Sequence, residues 1–236
     1  RWPPRRGDRV EDVFPPDHIH EYAEHSRRNL GVATIDLLQF HVWEDDWAAD
    51  PGWQRAVTTL RDEGTIAAVG VSINRWEPWN VLRTLETGLV DSVQVIYNVF
   101  DQAPEDELFP ACRELGVAVI ARVPFDEGSL TGTLTVDSTW PAGDWRNTYF
   151  VPENLVATIE HVERLRPAVP AATTMPELAL RFVLSNPDVS TVIPGMRRRS
   201  HVQANADAAA AGALDEGTIA ELRAHRWDRV PTSWSQ

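Results

Sequence analysis

Lysine is missing from this 236-residue chain; all 22 basic residues are arginine. That absence excludes a lysine Schiff base, a lysine general base and a lysine cation placed to activate a neighbouring acid. Cysteine is nearly absent too. The single Cys112 excludes an intrachain disulfide and a cysteine-rich metal site, and it reads as a half-buried helix thiol in a reducing compartment. Positive charge is scarce. Thirty-five acidic residues against 22 basic ones leave a formal net charge of −13, which argues against nucleic acid or an anionic membrane as partner. No apolar run approaches the ~18 residues of a membrane span. No signal-peptide pattern is visible, so a cytoplasmic location is expected. Methionine occurs only at Met175 and Met196, and the expectation taken from this is a chain that starts inside a longer polypeptide.

What is present is an ordinary apolar fraction, 43%, enough for one domain spanning 1–236. Residues 1–16, rich in Pro and Arg, read as an extended arm or loop. Asp17 reads as a helix N-cap, with a helix to about residue 29. A period follows. Short, mostly apolar runs suited to buried strands occur at 34–40, 66–71, 93–97, 117–121 and 189–193. Helical patterns stand between and after them, at 53–63, 77–86, 104–115, 154–166, 176–185, 200–209 and 215–224. Residues 124–152 form a longer insertion. Strands alternating with helices predict parallel β-structure with crossover helices. No G-x-G-x-x-G follows the early strands, which weakens a Rossmann reading. Five strands are too few for a closed eight-stranded barrel. The expected class is therefore α/β, a partial (β/α)8 TIM barrel of about five C-terminal βα units, with the first three units upstream.

In such a barrel the active site lies at the carboxyl ends of the strands. Those ends carry His41, Ser72 with Asn74, Gln94 with Tyr97, Arg122, and Pro194 with Gly195. The residue types suit a nicotinamide. Ser72, Asn74 and Gln94 offer neutral groups for a carboxamide. Arg122 or Tyr97 offers a planar group to lie against the ring. The loop after the fourth strand, from Pro124 through Gly128 and Leu130 to Gly132, offers backbone amides for a pyrophosphate, with Asp126 and Glu127 expected to point away. Arg197 and Arg199, at a helix start after the last strand, offer cations for a 2′-phosphate. Trp43, Trp145 and Trp227 sit in segments that top a barrel, and an aromatic substrate pocket is expected from them. No second His or Cys stands at ligand spacing from His41, so no metal is expected. A rebuilt barrel lyase using His41 with Asp45 or Asp46 is an alternative.

These residues resemble the aldo-keto reductase family. Ile35 to His41 resembles its strand bearing the catalytic histidine. Gly70 to Asn74 resembles its G-V-S-N segment, Gln94 to Asn98 its Q-x-x-Y-N segment, and Ala121 to Gly132 its loop after the seventh strand. Ile193 to Asn205 resembles its closing NADP segment. The resemblance implies a (β/α)8 barrel that binds NADP(H), with NAD(H) not excluded, and that reduces aldehydes or ketones or oxidises alcohols. It implies that His41 orients and polarises a carbonyl, that Ser72 and Gln94 hold the carboxamide, and that His201 and Asn205 lie at the adenine end. Arg122 stands where the family often has an aromatic residue. Ile73 stands where Asn usually follows Ser, Ala204 where an acidic residue is frequent, and His201 where Arg or Gln is frequent.

The family's catalytic Asp, Tyr and Lys come from its first three βα units, and no segment here matches them. An unassisted tyrosine, with a pKa of about 10, is a poor proton donor at neutral pH. This polypeptide alone is therefore expected to have little or no reductase activity, and the intact parent to have it. The alternatives are a non-catalytic NADP(H)-binding regulatory subunit and a barrel fragment inactive on its own. Open sheet edges would favour self-association.

Overall fold

The computed structural model describes residues 7–230. In chain order its helices and strands are α1 (Val10–Val13), α2 (Pro16–Leu30), β1 (Ile35–Phe40), α3 (Pro51–Asp62), β2 (Ile66–Ser72), α4 (Leu82–Leu85), β3 (Ser92–Ile96), α5 (Leu108–Leu115), β4 (Ala118–Arg122), α6 (Arg146–Tyr149), α7 (Pro152–Leu165), α8 (Met175–Leu184), β5 (Val189–Ile193), α9 (Arg199–Ala210) and α10 (Glu216–Arg223). The five strands form one parallel sheet in the order β1-β2-β3-β4-β5. Helical crossovers between neighbouring parallel strands are the partial βα barrel expected from the alternating pattern. No helix among the described residues is long and apolar enough to cross a membrane.

Three elements differ from the sequence expectation. Part of the proposed 1–16 arm is a helical turn, α1, because Val10 and Val13 are both buried, three residues apart on one face; residues 1–6 of that arm lie outside the described residues. The helix expected over 77–86 shrinks to α4, because Pro78 biases Glu77 away from helical backbone. Helix α2 also begins two residues early, at Pro16, with Pro15 and not Asp17 at the N-cap.

The chain divides into two compact units, Arg1–Val95 with Pro104–Ile120, and Ile96–Ala103 with Ala121–Gln236. In the first, α3 starts where Asp50 accepts from the Gly52 amide at 2.7 Å and Pro51 takes the first turn. It buries Trp53, Ala56, Val57 and Leu60, the i, i+3, i+4, i+7 stripe of an amphipathic helix. Strand register then sorts the sheet into two faces. Phe40 pairs with Val71 and Val71 with Val93, an apolar row. Gln39 pairs with Gly70 and Gly70 with Ser92, a row of small and polar residues. Side chains at paired positions share a face, so near the strand ends an apolar row on one face stands beside a small and polar row on the other. Gly70 is required there: a Cβ would stand 2.5 Å from Ser92 Oγ and 2.8 Å from Gln39 Cγ.

The second unit is built on α7 and α8. Helix α7 buries Asn154, Leu155, Thr158, Val162 and Leu165. Helix α8 is capped by Thr174, whose hydroxyl accepts from the Glu177 amide, and buries Leu178, Ala179, Phe182 and Val183 among others. The insertion closes on a small cluster of Tyr149, Phe150 and Leu155, packed by Leu134, Trp140 and Ile159.

Candidate functional site

In the first unit, register brings three of the expected residues to one end of β1-β2-β3. Ser72 pairs with Gln94, so both project from the face that carries Gly70 and Ser92. Ser72 is buried and Gln94 half-buried. Beyond Ser72 the Ile73 amide donates to the Gln94 carbonyl at 2.9 Å, and the Trp43 amide donates to the Ser72 carbonyl at 3.0 Å. His41, exposed at the end of β1, is thus tied through its own loop to the strand carrying Ser72. Asn74 lies just past them; its side-chain oxygen accepts from the Trp76 amide at 2.9 Å.

The loop after His41 is held by a network. Val42 has φ 62, a left-handed conformation rare for a β-branched residue. Trp43 then turns into the protein. Its indole N–H donates to Thr84 Oγ1 at 2.8 Å, and the Thr84 hydroxyl donates to Asp45 Oδ1 at 2.8 Å. Asp45 also accepts from the Thr84 and Arg83 amides at 2.8 and 3.1 Å. It therefore caps α4 from another segment, with its negative charge at the helix start. Asn80 completes the set: its oxygen accepts from the Asp45 amide and its nitrogen donates to Glu44. This corrects the expectation for Trp43. It is fully buried among Phe14, Phe40, Trp47 and Trp53, a core position and no pocket wall. Asp45 is likewise a structural acceptor, which removes it from the lyase alternative.

In the second unit, Tyr97 is turned away from the role considered for it. Its ring stacks on Phe182 at 5.6 Å and its hydroxyl accepts from Asn186 at 3.0 Å. Arg122 is half-buried at the end of β4. Pro124 is buried, and the chain after it makes successive left-handed steps at Asp126 (φ 44), Glu127 (φ 56) and Gly128 (φ 105). The amides of Gly128 and Leu130 both donate to the Phe125 carbonyl, at 2.9 and 3.1 Å, and the Leu130 side chain is fully buried. Those two amides are engaged within the loop, which corrects their assignment as phosphate donors. What the loop offers is the bare backbone of Gly128, where a Cβ would meet nothing within 4 Å.

Asp126 is buried, and its carboxylate accepts from Ser129 and Arg229. Gly195, Arg197 and Arg199 are exposed, with His201 and Asn205 half-buried on α9. The Asn205 amide donates to the Gly195 carbonyl at 3.5 Å, so these two positions meet. Trp145 is 54% exposed. Trp227 is a packing residue, sandwiched between His161 at 3.9 Å and the Arg229 guanidinium at 4.6 Å; its ring faces are taken, which corrects the pocket assignment. Burial, with the nearby Arg164 and Arg229 charges, pushes the His161 pKa down to about 4. Among the described residues no cluster of His, Cys, Asp or Glu is arranged for a metal ion. Asp45 was read only as a catalytic alternative, because the helix it caps begins far off in sequence at Leu82; Arg229 escaped sequence reasoning altogether, and nothing in the sequence signals it.

The sequence profile of the Aldo/keto reductase family matches residues 9–226. An NADH-specific methylglyoxal reductase of Escherichia coli is 30% identical over 209 residues, covering 84% of this chain and 62% of its own length. Aldo-keto reductase yakc [NADP(+)] of Schizosaccharomyces pombe is 27% identical, covering 88% of this chain and 62% of its own length. Among solved structures, aldo-keto reductase AKR11C1 of Bacillus halodurans in its holo form superposes with a TM-score of 0.73 at 26% identity, covering 94% of this chain and 69% of its own. The chain thus spans 62% of the length of these two curated relatives.

Proposed function

The chain belongs to the aldo/keto reductase family, and on that premise we propose that it is the cofactor-binding part of an NADP(H)-dependent carbonyl reductase or alcohol dehydrogenase. The observation that carries this reading is the register that sets Ser72 beside Gln94, next to the strand ending in His41. When bound, the nicotinamide supplies or accepts a hydride at the substrate carbon. His41 orients the carbonyl by hydrogen bonding to its oxygen. Ser72 and Gln94 hold the carboxamide, and Asn74 adds a third polar group. Arg122 lies against the ring, and Pro124 and Gly128 border the pyrophosphate. Gly195, His201 and Asn205 border the adenine end. Arg197 and Arg199 favour a 2′-phosphate, which makes NADP(H) the expected partner; NAD(H) is the alternative, given one NADH-specific relative. Trp145 is the aromatic residue left facing a substrate. The substrate class is an aldehyde or ketone, and no single compound is singled out.

Carbonyl reduction also needs a proton for the developing alkoxide. The Tyr97 hydroxyl accepts from Asn186. Tyr149 accepts from Arg229, whose charge already faces two carboxylates. Tyr22 is 56% exposed and stacks on His18. Lysine is absent, so no tyrosine of this chain has a lysine cation of the chain beside it. A missing general acid lowers rate by about 10²–10⁴-fold, so this chain alone is expected to turn over little or not at all. Steady-state NADPH oxidation with small aldehydes tests this. Turnover comparable to complete reductases would overturn it.

A further inference from the structure

The C-terminal segment after α10 carries a buried cation that the proposed mechanism does not use. The Arg229 side chain is 3% exposed. One of its nitrogens, Nη2, donates to Asp101 at 2.6 Å and to Asp126 at 2.7 Å. Its other terminal nitrogen donates to the Tyr149 hydroxyl at 3.3 Å, and the guanidinium lies over the Trp227 ring. Both carboxylates are engaged further. Asp101 accepts from Asn98 Nδ2 at 2.9 Å, and the same Asn98 nitrogen donates to the Val123 carbonyl at 3.0 Å. Asp126 accepts from the Ser129 hydroxyl at 2.7 Å. The network therefore touches the 123–132 loop at Val123, Asp126 and Ser129. Val123, Asp126 and Glu127 all hold positive φ, and non-glycine residues persist there only where the surroundings over-determine them.

We propose that Arg229 is a positioning residue for the dinucleotide: it locks the 123–132 loop in its left-handed form and cancels the two carboxylates beneath it, so that the loop can border an anionic pyrophosphate. This inference rests on the cofactor reading above. Without Arg229, Asp101 and Asp126 lose the guanidinium they share, and a buried ion pair is broken. That break opens the loop, and the field of the two carboxylates opposes any phosphate brought to it. The anchor works because its segment is itself docked: the Trp227 amide donates to the Phe100 carbonyl at 2.9 Å, and the Trp227 ring stacks on His161. The tail thereby sets the shape of a loop far from it in sequence.

The test compares the full chain with Arg229→Met, Arg229→Lys and the double variant Arg229→Met/Asp126→Asn. Two quantities are read: NADPH affinity by tryptophan fluorescence quenching, and hydrogen exchange of 123–132 without cofactor. Arg229→Met should weaken NADPH binding by about 5- to 150-fold, the usual range of coupling between sites, with faster exchange centred on 123–132. Arg229→Lys should recover part of the affinity, and so should the double variant, which removes one of the two carboxylate charges. If Arg229→Met fails to fold, the partial effect of Arg229→Lys supplies the same readout. Unchanged affinity in both single variants, or faster exchange spread evenly over the chain, overturns the proposal. Absence of NADPH binding by the unsubstituted chain defeats the cofactor reading instead, while the exchange data still decide whether Arg229 holds the loop.

Discussion

Asp45→Ala is the substitution that the loop after His41 tolerates least. The Asp45 side chain is 11% exposed and accepts from the Thr84 amide and hydroxyl, both at 2.8 Å, and from the Arg83 amide at 3.1 Å. Thr84 is fully buried, so water cannot replace the carboxylate there. A hydrogen bond to a charged acceptor contributes about 1.5–3 kcal/mol, and each buried donor left unmatched costs about 1–3 kcal/mol. The Arg83 guanidinium, with a side chain 61% exposed, adds little. Because the three bonds converge on one carboxylate, the terms do not add fully, and a loss of about 3–5 kcal/mol is expected, in the range seen for broken buried networks. For a chain of this size that lowers the melting temperature by roughly 6–20 °C. Thermal melting followed by circular dichroism measures it. Asp46→Ala is the control, since that side chain is 90% exposed and should change stability by less than about 0.5 kcal/mol. Equal melting of Asp45→Ala and the unsubstituted chain would refute the reasoning.

Other substitutions test other parts of the fold. Gly70→Ala places a methyl against Ser92 and Gln39 across two strands and should cost about 1–3 kcal/mol by overpacking, read as a lower urea midpoint. Tyr97→Phe removes the Asn186 bond and should cost about 0.5–1.5 kcal/mol while leaving NADPH affinity unchanged; a large affinity loss would put Tyr97 back against the cofactor. Stability should also fall as pH drops from about 6.5 toward 4. Burial, with Arg164 and Arg229 nearby, holds His161 near pKa 4 in the folded chain, so in that window the unfolded chain binds more protons. His225, shifted down mainly by burial, acts in the same direction. His161→Phe should flatten the slope of stability against pH, and an unchanged slope would remove His161 as its source.

Strand positions were legible because buried parallel strands are short continuous apolar runs; β5, expected at 189–193, is Val189–Ile193. Where turn chemistry competes with helical pattern, legibility fails. The 77–86 segment has helical spacing, yet Pro78 and the side-chain bond of Asn80 to the Asp45 amide claim its first half. Which residues end the strands was readable, but which way they face was only partly so. Gln94 and Tyr97 are three apart, an odd spacing that puts them on opposite faces of an extended chain, so the orientation of Tyr97 toward α8 could have been read. Trp43 could not, since the left-handed Val42 breaks the alternation after β1. Arg229 was invisible because its partners Asp101 and Asp126 lie far off in sequence, and only tertiary packing joins them.

In the proposed binding mode Ser72 and Gln94, at the strand ends, hold a nicotinamide dinucleotide. Titrating the chain with NADPH, with tryptophan fluorescence as the signal, tests it most directly when run beside Gln94→Ala. Saturable one-site binding is expected, weakened in the variant by about 1 kcal/mol, the net value of one hydrogen bond. No saturable binding by the unsubstituted chain, or equal binding by both, would contradict it.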